Sequence, residues 1–312
     1  MEHEGLEALA ESIEASARGR RIARPITLHV QTPRNVVLET GDGLIIRAGD
    51  ARGGSSYARE IGLLEVVRRY SPVPVPSPWL HAAPTDRYSA GIYAHEKIPG
   101  RPIPGVGENR KLPDSLCADV ARFLSAIHRI PQSELADLSL PTDRISAGTL
   151  RRLFANAEGP IRSHAGAGWS SRLARLWPRI EADLSKGLSH EVLLHGDLWH
   201  TNLLTDQRFS TLTGVIDWED AFIGDPAIDF AALISAGESF LNRVVRHYVA
   251  ATGMNRPHFR RTIKAVIVVR LLNTLGYHVR ESGTPEVQRS VADLLRLCED
   301  YDLTGAPYAA QG

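Results

Sequence analysis

The chain has 312 residues, 43% of them apolar, 23% charged and 6% aromatic, with 26 Gly and 19 Pro. These proportions match ordinary globular domains and exclude collagen, coiled coil and a disordered chain. Thirty-six basic residues balance thirty-six acidic ones, so the basic excess of a typical nucleic-acid binder is missing and no nucleic-acid partner is expected.

At about 150 residues per domain the length suggests two domains or two lobes. The two cysteines, Cys117 and Cys298, make neither a disulfide framework nor a zinc cluster and fit a reducing cytoplasm. The N-terminus opens with acidic residues and has no apolar h-region. The longest apolar runs, such as Ala265 to Val269, are too short to span a bilayer, so no membrane partner is expected.

In chain order, Leu6, Leu9 and Ile13 stand at helical spacing and predict a surface helix, followed by an Arg-rich turn from Arg18 to Arg24. Residues 26–30, 35–39 and 43–47 are short β-rich runs, and Gly41-Asp42-Gly43 between the last two predicts a hairpin in an antiparallel sheet. After a loop from Asp50 to Gly54, Ser55 is a candidate cap for a helix with apolar positions Tyr57, Ile61, Leu64 and Val67. Prolines 72, 74, 76 and 78 end that helix and predict an extended connector. Ala90 to His95 reads as a further strand, broken at Ile98-Pro99-Gly100.

A boundary near residue 98 divides the chain into an N-terminal lobe, 1–98, and a mainly helical part, 99–312. Helical periodicity runs through Asp114 to Arg129, Gly168 to Lys186, Pro226 to Gly253 and His258 to Leu303. One β island interrupts the helices: Val192 to Leu194, Asn202 to Thr205 and Leu212 to Ile216. A hairpin of the last two would bring residues 197–202 close to Asp217.

That juxtaposition is where chemistry is expected. His195-Gly196-Asp197-Leu198-Trp199-His200-Thr201-Asn202 is followed by Ile216-Asp217-Trp218-Glu219, giving two carboxylates and an amide at strand ends. Such oxygen donors suit Mg²⁺. Phosphoryl transfer needs a carboxylate to orient and deprotonate the attacking hydroxyl, with Asn and Asp ligands holding Mg²⁺ against the phosphates, and Asp197, Asn202 and Asp217 can fill those roles. A transition-metal reading of His195 and His200 lacks helical HxxxH pairing or a cysteine partner.

With these motifs the sequence resembles the aminoglycoside phosphotransferase family, small-molecule kinases with a protein-kinase-like fold. The resemblance rests on the HGD to Asn spacing and on IDWE. It extends to Gly224-Asp225-Pro226-Ala227-Ile228-Asp229-Phe230 and to Glu96-Lys97-Ile98-Pro99-Gly100, similar to the family's interlobe hinge. It implies an α+β, two-lobed fold: an N-terminal antiparallel sheet plus helix, then a mainly helical C-terminal lobe. It further implies Asp197 as catalytic base, Asn202 and Asp217 as Mg²⁺ ligands, the backbone around Glu96 to Ile98 as the nucleobase contact, and Glu60 as the helix glutamate. ATP or GTP would be the phosphoryl donor. Where the family carries a lysine that meets Glu60 and the phosphates, this chain has Arg47. Arg47 either replaces that lysine or is a structural arginine in an impaired site. The phosphate-cradling loop is Thr32-Pro33-Arg34-Asn35 and contains no glycine.

Other residues carry ordinary structural readings. Asp225 before Pro226 is a helix start, Asp229 is either a partner of the catalytic loop or a helix-surface residue, and His128 belongs to a helix C-terminus. His195 is expected to hold the loop by packing or hydrogen bonding, with Trp199 and His200 as surface or cleft residues.

The expected activity is transfer of the γ-phosphoryl of ATP or GTP to a hydroxyl of a small molecule, an aminoglycoside or macrolide antibiotic first. A metabolite such as an amino alcohol or sugar is the alternative acceptor, and a nucleotide-binding pseudokinase the alternative class. From residue 231 onward ten basic residues outnumber seven acidic ones, so composition there does not single out a polycationic acceptor. The sequence names no oligomeric state.

Overall fold

Three strands, β1 (Ile26–Gln31), β2 (Asn35–Thr40) and β3 (Leu44–Gly49), follow the predicted β-rich runs and pair antiparallel in sequence. The β2–β3 turn closes because Gly43 takes φ +80° and its N–H meets the Thr40 carbonyl at 2.9 Å. The Thr40 hydroxyl then bonds both Asp42 and the Leu44 N–H. With β4 (Leu80–Ala82) and β5 (Gly91–Glu96) these strands make a five-stranded antiparallel sheet in the order β1-β2-β3-β5-β4.

The computed structural model describes residues 11, 14, 23–31, 35–49, 57–82, 88–106, 110–142, 147–187, 191–254, 258–281 and 284–303. Leu6, Leu9, Ile13, nearly all of the Arg18 to Arg24 turn, Thr32 to Arg34, the Asp50 to Gly54 loop and Ser55 lie outside the described residues.

Because side chains alternate along a strand, the sheet sorts its residues by face. Leu38, Ile46, Ala48, Ile92 and Ala94 form a small apolar core. Arg47 and Tyr93, directly opposite each other in the β3–β5 register, join Tyr57 and Glu60 of α1 (Tyr57–Tyr70). The other buried positions of α1, Leu63, Leu64, Val66 and Val67, belong to the large core of the helical part. This helix therefore ties the sheet to the rest of the molecule. Arg68 and Arg69 complement its C-terminal dipole before Pro72 stops it.

The second part contains α2 (Asp114–Ile127), α3 (Ala147–Ala165), α4 (Ala167–Gly187), α5 (Ala227–Ala232), α6 (Glu238–Thr252), α7 (Phe259–Glu281) and α8 (Thr284–Leu303). α2 packs on α6, and α7 is central, touching α3, α4, α5 and α8. The periodic stretch from Pro226 to Gly253 divides at Gly237, whose φ of +106° no helix accommodates. The stretch from His258 to Leu303 likewise divides into α7 and α8. α3 is absent from the sequence reading because Gly159-Pro160 stands inside it, a signal for a break. Burial of Ala157 and Ile161 on either side outweighs the missing N–H.

Among the helices sit short strands: β6 (Arg101–Pro102), β7 (Val192–Leu194), β8 (Leu203–Thr205), β9 (Leu212–Val215) and β10 (Phe222–Gly224). β8 and β9 form the predicted hairpin with β6 on its other edge, and β7 pairs with β10. Among the described residues no helix is long and apolar enough to cross a membrane.

Candidate functional site

β7 ends in a sharp turn, His195-Gly196-Asp197, in which Gly196 has φ +83° and a Cβ would stand 2.2 Å from the Asp220 carbonyl oxygen. Only glycine lets the chain pass so close to the loop after β9. The N–H groups of His195 and Gly196 donate to the two oxygens of Asp229 at 3.0 and 2.9 Å. Asp229 is fully buried on α5, so it is a partner of the His195-Gly196-Asp197 turn and not a surface residue. His128, at the C-terminal end of α2, donates through Nε2 to Asp229 at 3.3 Å and accepts the Tyr248 hydroxyl through Nδ1 at 2.9 Å. Burial alone would raise the Asp229 carboxyl, but the His128 bond, the nearby imidazoles and the Gly196 N–H outweigh it and hold it below the ordinary aspartate range.

The His195 ring is buried against Trp218, donates through Nε2 to the Ile216 carbonyl at 2.9 Å and accepts the Asp197 N–H through Nδ1 at 3.3 Å. These two bonds assign its proton to Nε2. Asn202 donates its side-chain amide to the Asp197 carbonyl at 2.8 Å, and its own carbonyl accepts the Ile216 N–H at 3.0 Å. The hairpin thus ties Asn202 to Asp197 on one side and to Ile216, the residue before Asp217, on the other. The Asp197 carboxylate accepts from Arg270 of α7 at 3.0 Å. Burial raises its pKa, Arg270 opposes that rise, and Asp220 adds to it. Asp225 accepts the Ala227 N–H at 2.9 Å and starts α5 as its position before Pro226 predicts.

Across the cleft, Arg47 is buried and bonds Glu60 at 3.3 Å, Asp217 at 3.0 Å and Glu219 at 2.8 Å. The inward pair with Glu60 therefore forms. The Glu60 oxygen that Arg47 meets also accepts the Tyr93 hydroxyl at 2.9 Å, while Glu60 Oε2 and Arg47 Nε are buried with no partner among the described residues. Burial opposes the Arg47 charge, yet Glu60, Tyr93, Asp217 and Glu219 overcome it and hold the guanidinium protonated. Burial raises Glu60 in turn, against the pull of Arg47 and the Tyr93 bond. Asp217 sits at φ +68°, a left-handed backbone that aspartate tolerates better than most side chains.

One guanidinium here faces three carboxylates. Among the described residues no group of three or more His, Cys, Asp or Glu side chains could hold a metal ion on its own. The donor set of Asp217 and Asn202 fits the other way of holding Mg²⁺, in which one or two side-chain oxygens share the ion with substrate phosphates and water.

Glu96 and Ile98 lie at the end of β5. Glu96 pairs with Leu44, three residues along β3 from Arg47, a separation of roughly 10 Å at strand rise. Glu96 is exposed and its carbonyl accepts from the His95 ring at 2.8 Å. The Lys97 N–H is taken by Gly43 at 2.8 Å. Ile98 is buried, and its N–H has no hydrogen-bond partner among the described residues. A backbone donor just past a strand end is a suitable contact for a planar heterocycle.

The seven candidate residues thus fall in three groups: Arg47, Glu60 and Asp217 in one cluster, Asp197 and Asn202 in the loop, and Glu96 and Ile98 at and just beyond the end of β5. Sequence reasoning missed Arg270 and Tyr93, and left Glu219 merely near the cleft. Arg270 carries a legible signal, a single charge inside the apolar run from Ala265 to Leu272, since such a charge is buried only with a partner. Tyr93 shows no signal beyond strand alternation.

A model of the phosphotransferase enzyme family matches residues 26–262. Viomycin phosphotransferase of Streptomyces vinaceus is 29% identical over 161 residues, 48% of this chain and 52% of that protein. The uncharacterised protein YcbJ of Bacillus subtilis (strain 168) is 25% identical over 260 residues, 74% of this chain and 80% of its own length. Two solved structures share the fold at low identity. A GDP complex of an aminoglycoside 2'-phosphotransferase-IIIa mutant has a TM-score of 0.76 and 19% identity, with 96% of this chain and 98% of that one covered. Macrolide 2'-phosphotransferase type I has a TM-score of 0.68 and 21% identity, covering 94% and 98%. The matched family model spans both the five-stranded sheet and the segment from His195 to Glu219, and the chain belongs to the phosphotransferase enzyme family, with its kinase-like, two-lobed α+β fold.

Proposed function

We propose that this protein transfers the γ-phosphoryl group of ATP or GTP to a hydroxyl of a small-molecule antibiotic. The observation that carries this reading is the convergence of three residues: Asn202 bonds the Asp197 carbonyl, its own carbonyl takes the N–H of Ile216 next to Asp217, and Asp217 pairs with Arg47. The nucleotide lies between lobes 1–98 and 99–312, its base on the Ile98 N–H and the Glu96 carbonyl and its phosphates toward Arg47. Asn202 commits its amide nitrogen to Asp197, which leaves Oδ1 as its cation-facing atom. That oxygen and the Asp217 carboxylate would hold Mg²⁺. When bound, the ion would draw off negative charge as the γ-phosphoryl leaves. Asp197 orients the acceptor hydroxyl and takes its proton, and burial raises its carboxylate above the ordinary aspartate value, against the pull of Arg270. Arg47 does the work of the family's lysine: one arm of its fork meets Glu60, and the other, paired with Asp217 and Glu219, would turn to the phosphates when the nucleotide enters.

The antibiotic acceptor is supported by the viomycin phosphotransferase relative and by structures whose names include aminoglycoside and macrolide phosphotransferases. ATP, GTP and Mg²⁺ point to the cytoplasm as the place of action. The test is nucleoside-diphosphate release with Mg²⁺ and ATP or GTP, screened against viomycin, aminoglycosides, macrolides, amino alcohols and sugars. Turnover with one antibiotic class supports the proposal. Turnover confined to an amino alcohol or sugar overturns the acceptor, and nucleotide binding without any turnover overturns the transfer activity.

A further inference from the structure

We propose that Arg270 is a positioning residue for Asp197: it fixes one carboxylate oxygen so that the other faces the acceptor. This rests on the reading of Asp197 as the group that takes the acceptor's proton. Arg270 interrupts the most apolar stretch of α7, where Val266, Ile267, Val268, Val269, Leu272 and Leu275 are all buried. A helix enclosed by α3, α4, α5 and α8 gives that side chain a fixed base, which is what a precise site requires of its supporting residues.

From there the guanidinium donates to Asp197 Oδ1 at 3.0 Å and to the Gly196 carbonyl at 3.4 Å, and it stands 5.5 Å from the Trp199 ring centroid. Asp229 holds the same turn from the other side through the His195 and Gly196 N–H groups. The turn is therefore gripped by N–H bonds to α5 and by carbonyl and carboxylate bonds to α7.

The two oxygens of a free carboxylate interchange by rotation about the last side-chain bond. Arg270 removes that equivalence, since Oδ1 is engaged and Oδ2 remains. A lysine ammonium cannot reproduce the planar two-point contact to carbonyl and carboxylate. A purely stabilising ion pair is a poor explanation, because the Arg270 and Asp197 side chains are 21% and 33% exposed and pairs at such exposure add little to folding. Orientation matters more than base strength here, because little proton transfer is needed before the phosphoryl group is largely detached.

The experiment uses the full chain with MgATP and water as acceptor, the simplest hydroxyl donor that Asp197 can serve. Arg270→Ala should lower kcat for hydrolysis by about 10- to 100-fold, the cost of a misplaced reacting group, with the MgATP KM unchanged. Millimolar guanidinium ion should restore part of the rate. In an Asp197→Asn background the same change should have no further effect. A raised KM at constant kcat, or an equal loss in both backgrounds, overturns the proposal. Crystal structures of wild type and Arg270→Lys give a readout independent of turnover and of any folding defect in the alanine variant. The Asp197 carboxylate should be rotated or split between two orientations in the variant, and an unchanged orientation contradicts the proposal. If Asp197→Asn hydrolyses ATP like wild type, it is the assignment of Asp197 that fails instead.

Discussion

The two walls of the cleft are built on different principles. Around Asp197 polar groups are matched: Asp229 takes two N–H groups, His195 bridges to Ile216, Asn202 ties back to Asp197, and Arg270 answers the carboxylate. Around Arg47 one cation meets three carboxylates drawn from α1 and the segment after β9, and two buried atoms, Arg47 Nε and Glu60 Oε2, lack partners among the described residues. The first arrangement is preorganised by packing, as a transferring site needs. The second is held by unbalanced charge, and a ligand bringing phosphates and a divalent cation would rearrange it. Geometry is invested where the proton moves, and adaptable electrostatics where the nucleotide enters.

Substitutions can break this contrast. Asp229→Asn attacks the matched wall: it replaces a buried carboxylate that accepts two N–H groups and bonds His128, and should cost about 3 kcal/mol, read as a lower urea midpoint at pH 7. The same group predicts a pH dependence. Its folded pKa lies below the ordinary 3.8, so its contribution is fully present above that value and is lost as the pH falls through the lower folded one. Wild type should therefore lose stability in acid by a component that Asp229→Asn lacks, as urea titrations from pH 7 downward would reveal.

On the unbalanced wall the effect should fall on ligand affinity as well as on folding, because removing Arg47 leaves the buried Glu60 without its cation. Arg47→Ala should weaken MgATP binding by about 10- to 100-fold, the usual cost of deserting a buried charged partner, whereas Arg47→Lys should stay within roughly tenfold. Calorimetric titration measures both. Equal weakening in the two variants would show that the fork, and not the charge, is what the phosphates use. The smallest effect should come from Lys97→Ala, which removes an exposed pair with Glu39 beside the hinge. Less than about 1 kcal/mol of stability is expected to change, and a larger loss in thermal melts would mean the hinge depends on that pair.

The same contrast explains what could be read from the residues. The HGD to Asn spacing, with Asp217 beyond a hairpin, gave both the loop and its partner, because short-range strand pairing and fixed spacings are local properties. Arg47 stayed open between two readings until its pair with Glu60 was seen, because a strand-end arginine looks the same in sequence whether it turns inward or outward. Asp229 remained ambiguous, since a lone aspartate on a short helix looks the same whether it faces water or a buried turn. Arg270 and Glu219 act through contacts across 73 and 172 residues of chain, which no local pattern specifies. α3 was hidden by Gly159-Pro160, where tertiary burial overrides a local breaker.

The most direct test of the account is Asp197→Asn, with MgATP affinity and phosphoryl transfer measured on the same samples. Nucleotide affinity should stay within about twofold of wild type while the transfer rate falls by about 10²- to 10⁴-fold, the range for removal of a positioned general base. Wild-type transfer in that variant, to whichever acceptor the screen identifies, would contradict the assignment of Asp197 and the mechanism built on it.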